Sequence, residues 1–311
     1  MRVAIIGAGM AGLACAERLR AGGHAVTAWD KGRGPGGRMA TRRIDTPTGA
    51  VAFDHGAQYF TARDPDYIAR VADWERHGIV ARWPAAGAHA WVGTPAMNAP
   101  IRAMADAGDV RFGVRIEALV RDGDRWGVRG AGVSEDGYDA VVIAVPAEQV
   151  AALVGAHAPA FAAQAEAVRA QPCWTAMLAF DAPLMGVPDV LRDRGAVDWA
   201  ARNSAKPGRT GPEAWVVHAT PDWSAAHLEE DAATVLPQLM AAFAAAAGIA
   251  LPAPIVATAH RWRYARSGTL GCDALWNGAL GIGLGGDWLT GPRVEAAWLS
   301  GRRLAEAMPA G

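Results

Sequence analysis

Residues 3–20 read VAIIGAGMAGLACAERLR, and this stretch decides the fold. The apolar run Val3–Ile6 predicts a strand that is buried on both faces of a parallel sheet. Leu13–Arg20 predicts a helix that two glycines end, and Ala25–Trp29 predicts a second strand that ends at Asp30. The chain therefore opens with the strand, helix and strand of a Rossmann-type α/β domain.

A glycine pattern marks the turn between the predicted strand and helix. Gly7 permits a tight turn, Gly9 lets the backbone approach a pyrophosphate, and Gly12 allows the helix to pack closely on the strand. Met10-Ala11 opens the helix, whose N-terminal N–H groups and positive potential favour a phosphate. Asp30 would accept hydrogen bonds from a ribose diol. The pattern predicts a dinucleotide site and leaves NAD and FAD as alternatives.

The next loop reads Lys31-Gly32-Arg33-Gly34-Pro35-Gly36-Gly37-Arg38-Met39. It resembles the Gly-Gly-Arg signature of the flavin amine oxidase superfamily. The resemblance implies that the backbone of Gly36 and Gly37 lies against FAD and that Arg38 helps to neutralise the pyrophosphate, with Lys31 and Met39 in the same contact. A basic nucleic-acid or targeting patch is the alternative interpretation. The net charge of -1 and the interrupting glycines disfavour it.

Two segments far along the chain agree with a flavin. Residues 281–287 end in the pair Gly286-Asp287, which resembles the pair that orients the ribityl chain and pyrophosphate in FAD enzymes of this type. Val114 lies where such enzymes hold the adenine through a strand backbone, and an ordinary sheet valine is the alternative. Covalent attachment through Cys272 is also conceivable, but nothing in its surroundings favours it. We therefore predict FAD that is held without a covalent bond.

Longer segments extend the resemblance over essentially the whole chain. Residues 30–39, 54–61, 203–209 and 260–265 look like the corresponding parts of bacterial renalase-like proteins. The resemblance implies the two-domain fold of p-hydroxybenzoate hydroxylase and oxidation of 2- or 6-dihydro isomers of NAD(P)H. In the reaction that the resemblance implies, hydride passes to the flavin, NAD(P)+ leaves, and O2 takes the electrons and becomes hydrogen peroxide. The predicted substrate is thus a small molecule, a dihydronicotinamide dinucleotide.

The segment His55-Gly56-Ala57-Gln58-Tyr59 resembles one that crosses the flavin ring in related enzymes, so we assign its first four residues to the cofactor. Trp262 shares one face of a predicted strand with His260 and Tyr264, because alternate strand residues point the same way. Aromatic residues at such spacing, and a histidine among apolar neighbours such as His218, are more often part of a core. The predicted catalytic residues are Gln58, Tyr59, His218, Trp262 and Trp288.

Lysine usage bears on two competing functions. Many amine and polyamine oxidases place a lysine near flavin N5, and Lys31 and Lys206 are the two lysines of this sequence. Lys206 lies in a connection that contains proline and glycine, so we expect it to be a solvated loop lysine, which disfavours amine oxidation. A flavin amine oxidase and a non-catalytic flavoprotein remain as alternatives.

The order of the motifs predicts two domains. We expect a discontinuous FAD-binding domain of residues 1–60, 94–150 and 265–311, and an inserted α+β substrate domain of residues 61–93 and 151–264. The sequence also predicts a helix capped by Asn98, a strand at Val110–Val120, and β-like runs at Thr175–Phe180, Trp215–Thr220 and Ile255–Tyr264.

Composition disfavours several other classes of protein. A chain of 311 residues with 51% hydrophobic residues and a net charge of -1 is typical of a globular protein without a nucleic-acid partner. Its three cysteines are far apart, so we expect no disulfide framework and no metal site, and a cytoplasmic location fits best. Glycines interrupt the apolar stretch Val3–Cys15, so we expect no signal peptide. The other apolar run, Met240–Leu251, is too short to cross a bilayer, so we expect no membrane span.

Overall fold

A computed structural model of the protein describes residues 1–46 and 49–309. Positions 47, 48, 310 and 311, which belong to the predicted FAD-binding domain, lie outside the described residues. The described strands are, in chain order, β1 (Arg2–Ile6), β2 (Ala25–Asp30), β3 (Thr41–Thr46), β4 (Gly49–Asp54), β5 (Val80–Arg82), β6 (Trp91–Gly93), β7 (Asp109–Phe112), β8 (Ile116–Asp122), β9 (Arg125–Gly130), β10 (Val133–Tyr138), β11 (Ala140–Ile143), β12 (Gln171–Phe180), β13 (Val190–Arg194), β14 (Val197–Arg202), β15 (Glu213–Ala219), β16 (Val256–Arg266), β17 (Leu275–Asn277) and β18 (Ile282–Leu284). The described α-helices are α1 (Met10–Ala21), α2 (Pro65–Arg76), α3 (Ala99–Asp106), α4 (Val150–Val154), α5 (Pro159–Glu166), α6 (Pro221–Ala226), α7 (Ala232–Ala247), α8 (Asp287–Thr290) and α9 (Val294–Ala307).

The first sheet joins the two ends of the chain. Its strand order is β17-β18-β11-β1-β2-β7, and every pairing in it is parallel except that of the edge strand β17. The carboxyl ends of parallel strands meet at one edge of a sheet, which is where ligands bind in such folds. The turn after β1 and the turn after β18 therefore lie at the same edge of the sheet, with the end of β11 between them, although about 280 residues of chain separate them.

The second sheet is antiparallel and has the order β13-β14-β15-β12-β16. Trp174, Leu178 and Phe180 on β12 pack with α7 in one apolar core. Met177 and Ala179, which point the other way, pack with β4 in another. Side chains alternate along a strand, so one face of this sheet is covered by α7 and the other is turned toward β4 and the loop that follows it.

Two local expectations are wrong, and one hairpin was not predicted. The strand predicted at Val110–Val120 is divided between β7 and β8, which belong to different sheets, because Gly113 turns the chain with a positive φ of 74°. The loop after β2 leads into a hairpin of β3 and β4, where no strands were predicted. The Asn98 side chain makes no cap bond to its helix and instead donates to the carbonyl of Pro35 at 2.9 Å. Propensity alone does not show such competing partners.

The segment 61–93, which we assign to the substrate domain from sequence, contacts the other part of the molecule. Tyr67 of α2 lies against Trp298 of α9 with ring centroids 5.2 Å apart. Glu295 of α9 accepts hydrogen bonds from the backbone N–H groups of Arg63 and Asp64. Among the described residues, no helix combines the length and apolar character that crossing a membrane requires.

Candidate active site

One cavity of about 2250 Å³ runs from the turn after β1 to the second sheet. Its walls come from the glycine-rich turn and loop, the segment after β4, and strands β15 and β16. We call its two ends the glycine end (Gly7–Gly9, Gly36–Gly37 and Gly286) and the histidine end (His55, His218 and His260). Every predicted site residue lines this cavity except Gly12.

Gly12 has a packing role, as its position in the pattern predicts. A Cβ on Gly12 would lie 1.9 Å from the carbonyl oxygen of Gly7, so any side chain there would separate helix α1 from the turn. Gly9 differs, because a Cβ built on it meets no atom within 4 Å and would project into open space. The turn is therefore closed behind Gly12 and open in front of Gly9.

The N-terminus of α1 faces the cavity without a cap. No side chain accepts a hydrogen bond from its first turn, and Met10 and Ala11 line the cavity. The first N–H groups of a helix have no partner within the helix, and together with the helix dipole they form an anion site. The glycine end thus offers backbone donors to a phosphate.

Asp30 holds the turn and the following loop together. Its carboxylate accepts hydrogen bonds from the backbone N–H groups of Ala8 at 2.8 Å and Gly32 at 2.7 Å. A carboxylate has about four acceptor positions, so it can also accept from a ribose. Val114 lies in the connection between β7 and β8 rather than in a strand, and its N–H donates to the Asp30 carbonyl at 2.9 Å. Its own carbonyl is the remaining group that could hold an adenine.

An ion pair joins the two cofactor segments. Arg38 Nη2 lies 2.6 Å from Asp287 Oδ1, between residues 249 positions apart in sequence. Gly37 has a positive φ of 52°, a backbone conformation that residues with a side chain adopt only with strain. Lys31 Nζ donates to Gln149 Oε1 at 2.9 Å, and Met39 is buried at the wall. Open glycines, an uncapped helix and a paired arginine together fit a dinucleotide cofactor such as FAD.

The histidine end is organised by three backbone carbonyls of the segment after β4. The His55 carbonyl accepts from Trp262 Nε1 at 2.9 Å and lies 3.2 Å from His218 Nε2. The Gln58 amide Nε2 donates to the carbonyls of Asp54 and of Gly56. Three predicted catalytic side chains are thus fixed by one short segment, although they come from three separate parts of the chain.

Aromatic rings line this end of the cavity. The Trp262 ring lies 5.0 Å from the His55 ring and 4.6 Å from the His260 ring, measured between centroids. Tyr59 packs at 5.2 Å on Trp199, a cavity residue that the sequence analysis did not single out. Trp288 is buried, and its Nε1 has no partner among the described residues. Such a wall suits a flat, aromatic ligand.

The three histidines of the histidine end are held neutral. Burial, followed by the charges of His260 and Arg42, lowers the pKa of His55 to about 4. Burial lowers the pKa of His218 to about 4, and burial with Arg42 lowers the pKa of His260. The His55 carbonyl can only accept a hydrogen bond, so the neutral His218 carries its proton on Nε2.

Lys206 corrects the sequence expectation of a solvated loop lysine. Its side chain is fully buried, and Nζ lies 3.3 Å from Asp54 Oδ2 and donates to Gln58 Oε1 at 3.1 Å. Burial would raise the pKa of Asp54, but the charges of Lys206 and Arg209 outweigh it and hold that pKa well below its ordinary value. The position of a loop in sequence does not show that its lysine meets a buried carboxylate.

Unpaired arginines surround the cavity. Among the described residues, six arginines of its wall make no ion pair and no side-chain hydrogen bond; they are Arg33, Arg42, Arg43, Arg63, Arg102 and Arg115. Of the six carboxylates of the wall, Asp30, Glu148, Asp198 and Asp287 accept hydrogen bonds from protein donors, and two, Asp106 and Glu117, make no ion pair or side-chain hydrogen bond among the described residues. The cavity therefore presents more free positive than free negative charge, which the near-zero net charge of the chain conceals.

Comparison with known families identifies the class. Residues 5–74 match the NAD(P)-binding Rossmann-like domain, and residues 81–309 match the flavin containing amine oxidoreductases. The second match covers most of the chain, so the protein belongs to the flavin-containing amine oxidoreductase family. The predictions of a Rossmann-type α/β fold, of an oxidoreductase and of non-covalent FAD are confirmed. Cys272 does not line the cavity, in agreement with a flavin that is not attached through it.

Solved structures share the fold at low sequence identity. A putative protoporphyrinogen oxidase from Exiguobacterium sp. 255-15 is 13% identical, with a TM-score of 0.74 and 98% of each chain covered. Wild-type putrescine oxidase bound to putrescine is 14% identical, with a TM-score of 0.69 and the same coverage. Cyclohexylamine oxidase from Brevibacterium oxydans IH-35A is 12% identical, with a TM-score of 0.71 and 98% of each chain covered. These likenesses concern the fold alone.

Proposed function

We propose that the protein is a renalase-like FAD-dependent oxidase that oxidises a 2- or 6-dihydro isomer of NAD(P)H. The observation that carries the proposal is the charge at the histidine end. Among the described residues, the arginine and lysine side chains whose charge lowers the pKa values of His55, His218 and His260 are Arg42, Arg266 and Lys206. A dinucleotide brings negative phosphates to this surplus of positive charge, whereas an amine brings another cation.

The size of the cavity supports a second ligand beside the cofactor. Small-molecule sites commonly have volumes of roughly 300–1,000 Å³. The cavity has about 2250 Å³, and it continues past the glycine end to Trp262 and Tyr59. A flavoprotein that keeps FAD only for folding would need no such space, so the volume favours an enzyme.

The residues at each end have separate tasks in the proposed reaction. The backbone of Gly7 and Gly9 and the Arg38 side chain would hold the FAD pyrophosphate. The bound flavin would accept hydride from the substrate, and O2 would then take its electrons and become hydrogen peroxide. Trp262 and Tyr59 would orient the nicotinamide ring, which is the main requirement for hydride transfer. The neutral histidines suit a step in which the protein moves no proton.

An amine oxidase is the second candidate, because the family and two structural neighbours carry that name. The burial of Lys206 removes one sequence argument against it. Lys206 does not line the cavity, however, and Gln58 stands between the two. An ammonium substrate would therefore meet positive arginines and no free lysine amine.

The pairing of the two domains and the cellular location are also part of the proposal. A p-hydroxybenzoate hydroxylase-like pairing of the two domains is supported by the separate parallel and antiparallel sheets. A cytoplasmic location is supported by the three cysteines, which are all unpaired.

Oxygen uptake by the purified holoenzyme tests the proposal. The donors are 2-dihydro-, 6-dihydro- and ordinary 4-dihydro-NAD(P)H, together with putrescine and cyclohexylamine. We expect oxygen uptake and equimolar hydrogen peroxide with a 2- or 6-dihydro isomer. Uptake with the amines and not with any dinucleotide would replace the proposal by the amine oxidase.

A further inference from the structure

A buried ionic cluster lies directly behind the histidine end. Lys206 and Arg209 both contact Asp54 Oδ2, at 3.3 and 2.5 Å, while Thr41 and the Met97 backbone N–H donate to Asp54 Oδ1. All three charged side chains are almost completely buried. Buried charges are costly unless they are paired, so a cluster of this size at an active site invites an explanation beyond stability.

Of the two cations of the cluster, only Lys206 touches a residue of the cavity wall through its charged group. Lys206 Nζ donates to Gln58 Oε1 at 3.1 Å, whereas Arg209 donates to Asp54 and to the carbonyls of Gly93 and Pro207. Gln58 lines the cavity, and Lys206 and Arg209 do not. The link from the two cations to the site therefore passes through the Gln58 amide.

The hydrogen bonds define the orientation of that amide. The ammonium group of Lys206 only donates, so it requires the amide oxygen. The carbonyls of Asp54 and Gly56 only accept, so they require the amide nitrogen. A competing donor is close, because His218 Nε2 lies 3.4 Å from Gln58 Nε2 and carries a proton. Without Lys206, the buried amide oxygen would lack a donor, and a rotation toward His218 would supply one.

We propose that Lys206 is a positioning residue of the flavin site. It holds the Gln58 amide in a single orientation and prevents the amide oxygen from rotating toward His218. The inference rests on the proposed placement of Gln58 beside the flavin. The other charged and titratable groups around Lys206 are Asp54, Arg209 and His218, and the Trp83 ring lies 5.3 Å from Nζ. Asp54 neutralises one cation of the cluster, so the removal of Lys206 or of Arg209 changes its charge by the same amount.

Because removal of either cation changes the charge of the cluster equally, Arg209→Met is a matched control for Lys206→Met. The test measures the midpoint reduction potential of the bound flavin in the wild-type holoenzyme and in Lys206→Met, Arg209→Met, Gln58→Leu and the double variant Lys206→Met/Gln58→Leu, with thermal melting of each. We expect Lys206→Met and Gln58→Leu to shift the potential in the same direction and by similar amounts. We expect Arg209→Met to lower the melting temperature and leave the potential near the wild-type value. The double variant should match Gln58→Leu, because the two changes act through one amide.

Three results would overturn the inference. They are a Lys206→Met shift that persists on the Gln58→Leu background, an equal shift in Arg209→Met, and an unchanged potential in Gln58→Leu. An unchanged potential in Gln58→Leu overturns the inference even if Lys206→Met fails to fold. The potential is measured without any organic donor, so the outcome does not depend on whether the protein oxidises dinucleotides or amines.

Discussion

The glycine end and the histidine end of the cavity are built by different means. The glycine end uses backbone groups of neighbouring residues, such as the uncapped start of α1 and the open face of Gly9. The histidine end uses side chains from β15, β16 and the segment after β4, held by the carbonyls of that segment. The first arrangement is local in sequence and the second is not. In the proposed function, binding of the cofactor and choice of the substrate therefore depend on different kinds of interaction.

The largest effect is expected at the ionic cluster behind the histidine end. Asp54→Asn leaves two buried cations without their carboxylate, and breaking a buried pair in this way costs about 3–5 kcal/mol. Denaturant unfolding should show a loss of that order at pH 7, whereas the exposed Asp45→Asn in the same hairpin should stay within about 0.5 kcal/mol. Equal stability of the two variants would show that the cluster does not support the fold.

The glycine end should respond in affinity rather than in stability. Gly9→Val projects a side chain into the open space where a pyrophosphate would lie, and the φ of -82° at Gly9 permits valine. We expect the Kd for FAD to rise at least about 100-fold, which is about 2.8 kcal/mol. Ala21→Val, at the exposed far end of the same helix, is the control. FAD binding that survives Gly9→Val would contradict the assignment of this turn to the pyrophosphate.

Those two ends also differ in how far the sequence predicts them. The place of the turn at Gly7–Gly12 and of Asp30 at the cavity could be predicted from spacing within one βαβ unit, and that of Arg38 from its resemblance to a family signature. Lys206 was assigned wrongly to solvent, since its partner Asp54 lies 152 positions earlier in the chain. Trp199 was missed for the same reason, because its place beside Tyr59 follows from sheet pairing. A cluster of side chains from distant strands produces no regular spacing in the sequence, so the sequence alone does not predict it.

The neutral histidines predict a pH dependence of stability. His218 has a folded pKa of about 4, below the ordinary value of 6.5, so the unfolded chain binds more protons between these pH values. Stability should therefore fall as the pH falls from 6.5 toward 4, with His218 contributing about 2 kcal/mol of the loss at pH 5. Unfolding followed from pH 7 to pH 4.5 should show a shallower loss in His218→Asn. The exposed His77→Asn is the control, and identical slopes in all three proteins would contradict the burial of a neutral His218.

The smallest effect is expected at the arginines of the cavity wall. Arg42 is exposed and acts on His55 and His260, so Arg42→Gln should weaken the attraction of a dinucleotide by less than about 1 kcal/mol. The KM for the dihydronicotinamide substrate should rise about two- to fivefold, and its dependence on salt should decrease. Arg76→Gln, away from the cavity, should change neither. A lower KM for Arg42→Gln would indicate a cationic substrate instead.

Anaerobic stopped-flow reduction of the bound flavin tests most directly the central claim that the histidine end selects a dihydronicotinamide dinucleotide. The measurement isolates the transfer of electrons from the donor, because oxygen takes no part in it. We predict rapid bleaching of the flavin absorbance by a 2- or 6-dihydro isomer of NAD(P)H and none by putrescine or cyclohexylamine. Bleaching by an amine, with no response to any dinucleotide, would contradict the account.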